Sequence, residues 1–181
     1  MKVSGTKGFD APVARVWHVL NTPAELAKTL PGVESFEVED DTHWSARVKV
    51  PLGLGGLRLK FRFEKVEERP PEHASLKAKG KGVGAIVSME TRFDLASNGE
   101  QTTMAWEADV HVLGQVGSMG QRVLQPIVNQ QVENVLASLE RQVAAATRTA
   151  RPPMKMQARR AHAWKPKKRM RLTLPPPRRR S

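Results

Sequence analysis

The sequence predicts a two-layer α+β body, in which one long C-terminal helix covers a strongly curved antiparallel sheet, followed by a separate basic tail. Three observations carry that expectation. Through most of residues 44–112 apolar side chains alternate with polar ones, the period of strands that are half exposed to water. Helical spacing of apolar residues appears only near the two ends of the body. Finally, the thirty-one residues from Arg151 to Ser181 hold twelve Lys and Arg and no acid, while residues 1–150 balance 30 − 12 = 18 basic residues against all 18 acids.

In chain order, an opening strand is followed by a helix over Ala11–Leu20, with Asp10 as its N-cap and Pro12 close to its first position. Val13, Val16, Trp17 and Leu20 share one face of it. A second short helix, Ala24–Leu30, starts after Pro23 and stops at Pro31-Gly32. Six strands come next, five of them marked by alternation. The clearest is Leu57 to Glu64, where every odd position is apolar and every even one charged. Trp44, Ala46, Val48 and Val50 give the inward side of another; Ala74, Leu76 and Ala78 of a third; Val83, Ala85, Val87, Met89, Phe93 and Leu95 of a fourth; Met104, Trp106, Ala108, Val110 and Val112 of a fifth. The joints, such as Asp40-Asp41, Arg69-Pro70-Pro71-Glu72 and Ser97-Asn98-Gly99-Glu100, are too short for a crossover helix, so neighbouring strands pair as hairpins. From about Ser118 to Thr147 the stripe Leu124, Val128, Val132, Val135, Leu136, Leu139 and Val143 predicts a helix of ~45 Å, with a kink or fresh start near Gln125 because Pro126 lacks a backbone donor. Pro152-Pro153 closes it.

Composition narrows the chemistry. A body of 150 residues is one domain of ordinary size. The chain has no Cys, so disulfides, thiolate metal sites and thiol nucleophiles are excluded. No stretch approaches the ~20 apolar residues of a membrane span, and the N-terminus lacks an apolar run, which points to a cytoplasmic, non-spanning protein. His18, His43, His73, His111 and His162 show neither metal spacing nor a local triad, so they are expected to be structural. Asp40 and Asp41 suit a turn. Gly80, Gly82 and Gly84 precede a strand with no Lys-Ser/Thr pair, so they mark a tight hairpin or a close backbone approach and not a phosphate cradle. The pattern predicts no catalytic constellation, no metal and no cofactor.

The space between the layers is the informative part. Ala46, Ala74, Ala78, Gly80, Ala85 and Ala108 point inward and are too small to reach a helix riding ~10 Å above the sheet. Either Trp17, Trp44, Trp106, Phe61 and Phe63 fill the gap, or it is an apolar ligand cavity. The glycine-rich stretch with Gly114, Gly117 and Gly120 joins sheet to helix, as a plain connection or as the hinge of a gate.

Several segments together resemble a known family: Phe9-Asp10-Ala11-Pro12 with Val16-Trp17, Leu30-Pro31-Gly32-Val33, Gly80-Lys81-Gly82, Trp106, Ala108-Asp109-Val110 through Gly114 to Arg122, and Glu133-Asn134-Val135-Leu136. Over about residues 1–147 the chain is similar to the CoxG family of carbon monoxide dehydrogenase subunits, part of the SRPBCC, or START-like, superfamily. The resemblance implies a helix-grip fold around an apolar cavity, and service to a molybdenum hydroxylase of the carbon monoxide dehydrogenase type, which such proteins help to hold at the membrane while handling a lipophilic quinone. A cavity lined by Trp17, Met89, Trp106, Ala108, Leu124 and Val128, taking a quinone or lipid, is the resulting expectation. Its rivals are a cavity enzyme of cyclase or hydrolase type and a nucleic-acid-associated protein led by the tail.

The tail itself, residues 151–181, reads as a disordered arm, because its prolines prevent a long helix and its like charges repel. Arg159, Arg160, Trp164, Lys165, Lys167, Lys168, Arg169 and Arg171 combine cations with an indole, the mixture that binds an anionic bilayer. An acidic patch on a partner enzyme or the phosphates of nucleic acid would also accept it. The resemblance favours the membrane or the enzyme over nucleic acid, and places the protein peripherally at the inner face of the cell membrane.

Overall fold

The structure, a computed structural model, describes residues 1–53 and 56–150. Its elements are β1 (Lys2–Phe9), α1 (Val13–Asn21), α2 (Pro23–Ala27), β2 (Val33–Val38), β3 (His43–Val50), β4 (Leu57–Arg69), β5 (His73–Gly82), β6 (Ala85–Asn98), β7 (Gln101–Leu113), a 3₁₀ turn over Gly117–Met119, and α3 (Gln121–Ala150). The strands form one seven-stranded antiparallel sheet in the order β1-β7-β6-β5-β4-β3-β2. Consecutive strands β2 to β7 are a meander, and β1 closes the order by pairing with the last strand, Gly5 opposite Trp106. This is the curved sheet and long C-terminal helix that the alternation predicts.

Register fixes which face is dry. Trp44 lies opposite Phe63, Phe63 opposite Ala78, Ala78 opposite Met89 and Met89 opposite Val110, so one row of inward side chains crosses five strands. Val83 departs from the expected pattern. It sits with Gly84 in the two-residue turn between β5 and β6, 94% exposed, because the strand pairing ends at Gly82 opposite Ala85.

Helices α1 and α3 begin later than expected, while α2 begins at Pro23, one residue early, and ends at Ala27 and not at Leu30. Pro12 caps α1, whose first hydrogen bond runs from the Arg15 amide to the Pro12 carbonyl at 2.9 Å; Asp10 instead accepts from the Gln101 side chain at 2.9 Å, tying the helix entry to β7. The buried Thr102 hydroxyl strengthens that tie by donating to the Ala11 carbonyl at 2.7 Å. Helix α3 starts at Gln121 and runs through Pro126 without a fresh start. Pro126 is exposed, and the acceptor it frees belongs to Arg122, also exposed, so water satisfies that carbonyl at little cost.

Two separate hydrophobic clusters form the core, and the first of them joins the sheet to α3. The first joins Phe9, Val16, Val19, Leu20, Phe93, Leu95 and Met104 to Leu139 and Val143 of α3. The second joins Trp44, Ala46, Val48, Phe63 and Ala78, with Trp44 and Phe63 stacked at 5.7 Å between ring centroids. A domain of this size ordinarily has one contiguous core. Here the space between the clusters is open.

Candidate functional site

That space is a cavity of about 340 Å³ between the concave face of the sheet and α3. The sheet contributes Val48, Leu59, Phe61, Phe63, Leu76, Ala78, Val87, Met89 and Phe93, with Met104, Trp106, Ala108, Val110 and Val112 from β7. Helix α3 contributes Leu124, Ile127, Val128, Gln131, Val132, Val135, Leu136 and Leu139, a stripe at three- and four-residue spacing, and Leu26, Leu30 and Pro31 close one side. Thr91 and Gln131 are the only polar side chains among the lining residues, and none of the lining side chains titrates.

Met89, Trp106 and Ala108 on the sheet thus line the cavity together with Leu124 and Val128 on α3, while Trp17 does not. It packs against the first cluster, its ring edge-on to Phe93 with centroids 6.2 Å apart. The small inward residues divide in the same way. A Cβ on Gly80 would come within 2.6 Å of the Phe61 ring, so the room left by this glycine is already filled by its cross-strand neighbour. Ala74 is covered within the first cluster, Ala46 within the second, and Ala85 is buried outside the lining, which leaves Ala78 and Ala108 to open the cavity. Thr91 escapes sequence reasoning because a hydroxyl interrupts the apolar series, although its odd position in β6 assigns it to the inward face. The indole nitrogens of Trp44 and Trp106 are buried without a hydrogen-bond partner.

The loop after β7 brings Val116 to the cavity wall. It is seated by the Val116 amide, which donates to the Gly84 carbonyl at 2.9 Å, and by the Ser118 amide, which donates to the Gly114 carbonyl at 3.1 Å. A side chain on Gly117 would collide with the Val112 carbonyl, so this glycine permits close backbone approach. Gly120, at φ +81°, has open space around it and lies where the loop turns into α3.

The ionisable groups singled out in the sequence that fall among the described residues lie outside the cavity. Asp40 accepts from the Thr42 hydroxyl at 2.8 Å and from the backbone amides of Thr42 and His43 at 2.7 Å, which holds its carboxyl well below the usual carboxylate range. His43 pairs with Asp40, His73 with Asp94 at 2.7 Å, and His111 with Asp109 at 3.3 Å. His162 and the tail residues Arg159, Arg160, Trp164, Lys165, Lys167, Lys168, Arg169 and Arg171 lie outside the described residues. Among the described residues no cluster of three or more His, Asp or Glu could hold a metal ion, and no helix is long and apolar enough to cross a membrane.

Residues 5–144 match the family of the carbon monoxide dehydrogenase subunit CoxG. Solved structures share the fold. A conserved protein from Geobacillus kaustophilus is 23% identical with a TM-score of 0.75, over 81% of this chain and 97% of that one. A START superfamily protein from Mycobacterium smegmatis is 15% identical, TM-score 0.61, over 80% and 97%. The Zhui aromatase/cyclase from Streptomyces sp. R1128 is 18% identical, TM-score 0.61, over 83% and 96%. No curated protein matches the chain.

Proposed function

The chain belongs to the CoxG family of carbon monoxide dehydrogenase subunits, and from that premise we propose that it binds an isoprenoid quinone or similar lipid in its cavity and serves a molybdenum hydroxylase of the carbon monoxide dehydrogenase type at the cytoplasmic membrane. The single observation that carries the ligand is the cavity itself. Its volume of about 340 Å³ lies inside the range of about 300–1,000 Å³ found for small-molecule sites. Its lining, apolar except for Thr91 and Gln131, suits a ligand that is mostly hydrocarbon. Acid–base catalysis needs a titratable group within hydrogen-bond reach of the substrate, and no lining residue supplies one, which favours carriage over the chemistry named for the aromatase/cyclase. Proteins of this fold class host many functions on one scaffold, so the site and not the scaffold decides. Residues 151–181, with twelve cations, are proposed as the arm that meets the anionic membrane or the partner enzyme, a contact that weakens as salt rises.

Titration with a water-dispersible prenylated benzoquinone tests this reading. Trp106 lies on the wall, so saturable quenching of tryptophan fluorescence is expected, and Trp106→Phe should remove most of it. Quenching that stays linear and matches that of free tryptophan in solution would count against a site.

A further inference from the structure

The outer face of the sheet separates its charges in a way that the neutral total of residues 1–150 conceals. Toward the end that carries the β6–β7 turn, opposite charges pair across strands: Glu64 stands opposite Lys77 and Lys77 opposite Glu90, with Lys77 and Glu90 at 3.4 Å, and Arg92 meets Glu107 at 2.6 Å. Toward the other end, where β3 runs out and the β5–β6 turn lies, the register does the reverse. Arg47 stands directly opposite Lys60, and Lys60 opposite Lys81; Lys49 stands opposite Arg58, and Arg62 opposite Lys79. Like charges facing each other across strands destabilise a sheet. Arg58 and Arg62 find acids on and just after β2, Glu34 at 3.0 Å and Glu39 at 2.5 Å, but Arg47, Lys49, Lys60, Lys79 and Lys81 have no carboxylate partner among the described residues.

The same row continues into exposed apolar side chains. Lys81 stands opposite Ile86, and Ile86 opposite Leu113; these two are 49% and 61% exposed, and Val83 projects from the adjoining turn. Aligned like charges and exposed aliphatic groups are both relieved by a partner that offers anions beside an apolar layer. The cavity reaches this end of the sheet too, through Val50, Leu52, Leu57, Val112 and Val116.

We propose that this basic and apolar end of the folded body, Arg47, Lys49, Lys60, Lys79 and Lys81 with Val83, Ile86 and Leu113, is a docking surface for an anionic lipid bilayer. The cations meet phosphate headgroups and the aliphatic side chains enter the interfacial layer, a division of labour that amphipathic membrane surfaces share. A nucleic acid would use the cations but leave the three aliphatic groups in water. The inference deepens the reading of the cavity as a carrier of bilayer-dissolved ligand, by naming the face presented to that bilayer. It does not depend on it: a chain that docks through this face yet binds no quinone leaves the surface standing and the cavity reading lost.

Because the chain has no cysteine, a single label can report on one face of the full-length protein. Val83→Cys carrying an environment-sensitive dye should brighten and shift to the blue with mixed phosphatidylglycerol–phosphatidylcholine vesicles, and not with phosphatidylcholine alone. The same dye on Asn98→Cys, at the far end of β6, should stay unchanged. Adding Lys60→Glu and Lys79→Glu to the Val83→Cys chain should weaken the response at least about tenfold. The melting temperature should not fall, since the glutamate at position 60 then faces Arg47 and Lys81, and the one at position 79 faces Arg62. Vesicle binding with no change at residue 83, or a change at residue 98 in its place, would overturn the inference. So would a Val83 label that ignores vesicles while the two charge reversals lower affinity for random duplex DNA, which would assign the face to phosphates of nucleic acid.

Discussion

Ala108→Phe is expected to abolish most ligand binding, by at least about tenfold, while the protein stays folded. Ala108 is 7% exposed, lies on the inner face of β7 opposite Thr91, and is one of two small residues that open the cavity. A phenyl ring projecting from it enters the volume a ligand would use. Apolar area removed from water contributes ~25 cal/mol per Å², while misfit in a packed interior costs ~1–3 kcal/mol, so the net change in stability should stay within ~2 kcal/mol. Ala105→Phe makes the comparison fair: Ala105 sits on the outer, exposed face of the same strand, and the same added ring there should leave binding unchanged. Quinone quenching and thermal unfolding of both variants read the two effects separately. Wild-type affinity in Ala108→Phe would place the ligand elsewhere.

The largest loss of stability is expected from Trp44→Ala. Trp44 is 1% exposed, stacks on Phe63 with an interplanar angle of 8°, and anchors the second cluster, whose Val48, Phe63 and Ala78 form part of the cavity wall. Deleting a buried aromatic ring of this kind costs ~3–5 kcal/mol, a fall in melting temperature on the order of 10 °C for a domain near 150 residues. Trp44→Phe should behave differently. It keeps a ring against Phe63 and removes a buried indole N–H that has no partner, an omission that itself costs ~1–3 kcal/mol. The void left by the smaller ring offsets that relief, so a change within ~1.5 kcal/mol is expected. Equal losses for the two variants in urea unfolding would show that the N–H is satisfied in solution.

Most of the fold is legible in the sequence because alternation and helical spacing report burial directly. Leu57 to Phe63 shows it best: all four odd positions face inward and line the cavity, as a period of two demands. Edge strands show it least. Val33–Val38 has only two half-buried positions and no run of alternation, so β2 is expected from the order of elements and not from its own residues. The cavity is legible only in part. Small residues announce space, but they do not say whether a neighbour has filled it, and Phe61 over Gly80 is a pairing that only register reveals. Trp17 is apolar and correctly placed on the buried side of α1, yet it packs against the first cluster, and α1 reaches the open volume through Leu20 instead. The cationic rows are invisible for the same reason. Arg47, Lys60 and Lys81 each alternate correctly within their own strands, and their alignment exists only across them.

The central claim is that the cavity holds an apolar molecule, and mass spectrometry of organic extracts from the purified full-length protein tests it most directly. The account predicts an isoprenoid quinone or similar lipid in near-stoichiometric amount, greatly reduced in extracts of Ala108→Phe purified in parallel. Extracts with no enriched apolar compound, or with the same compound at the same level in Ala108→Phe, would contradict it.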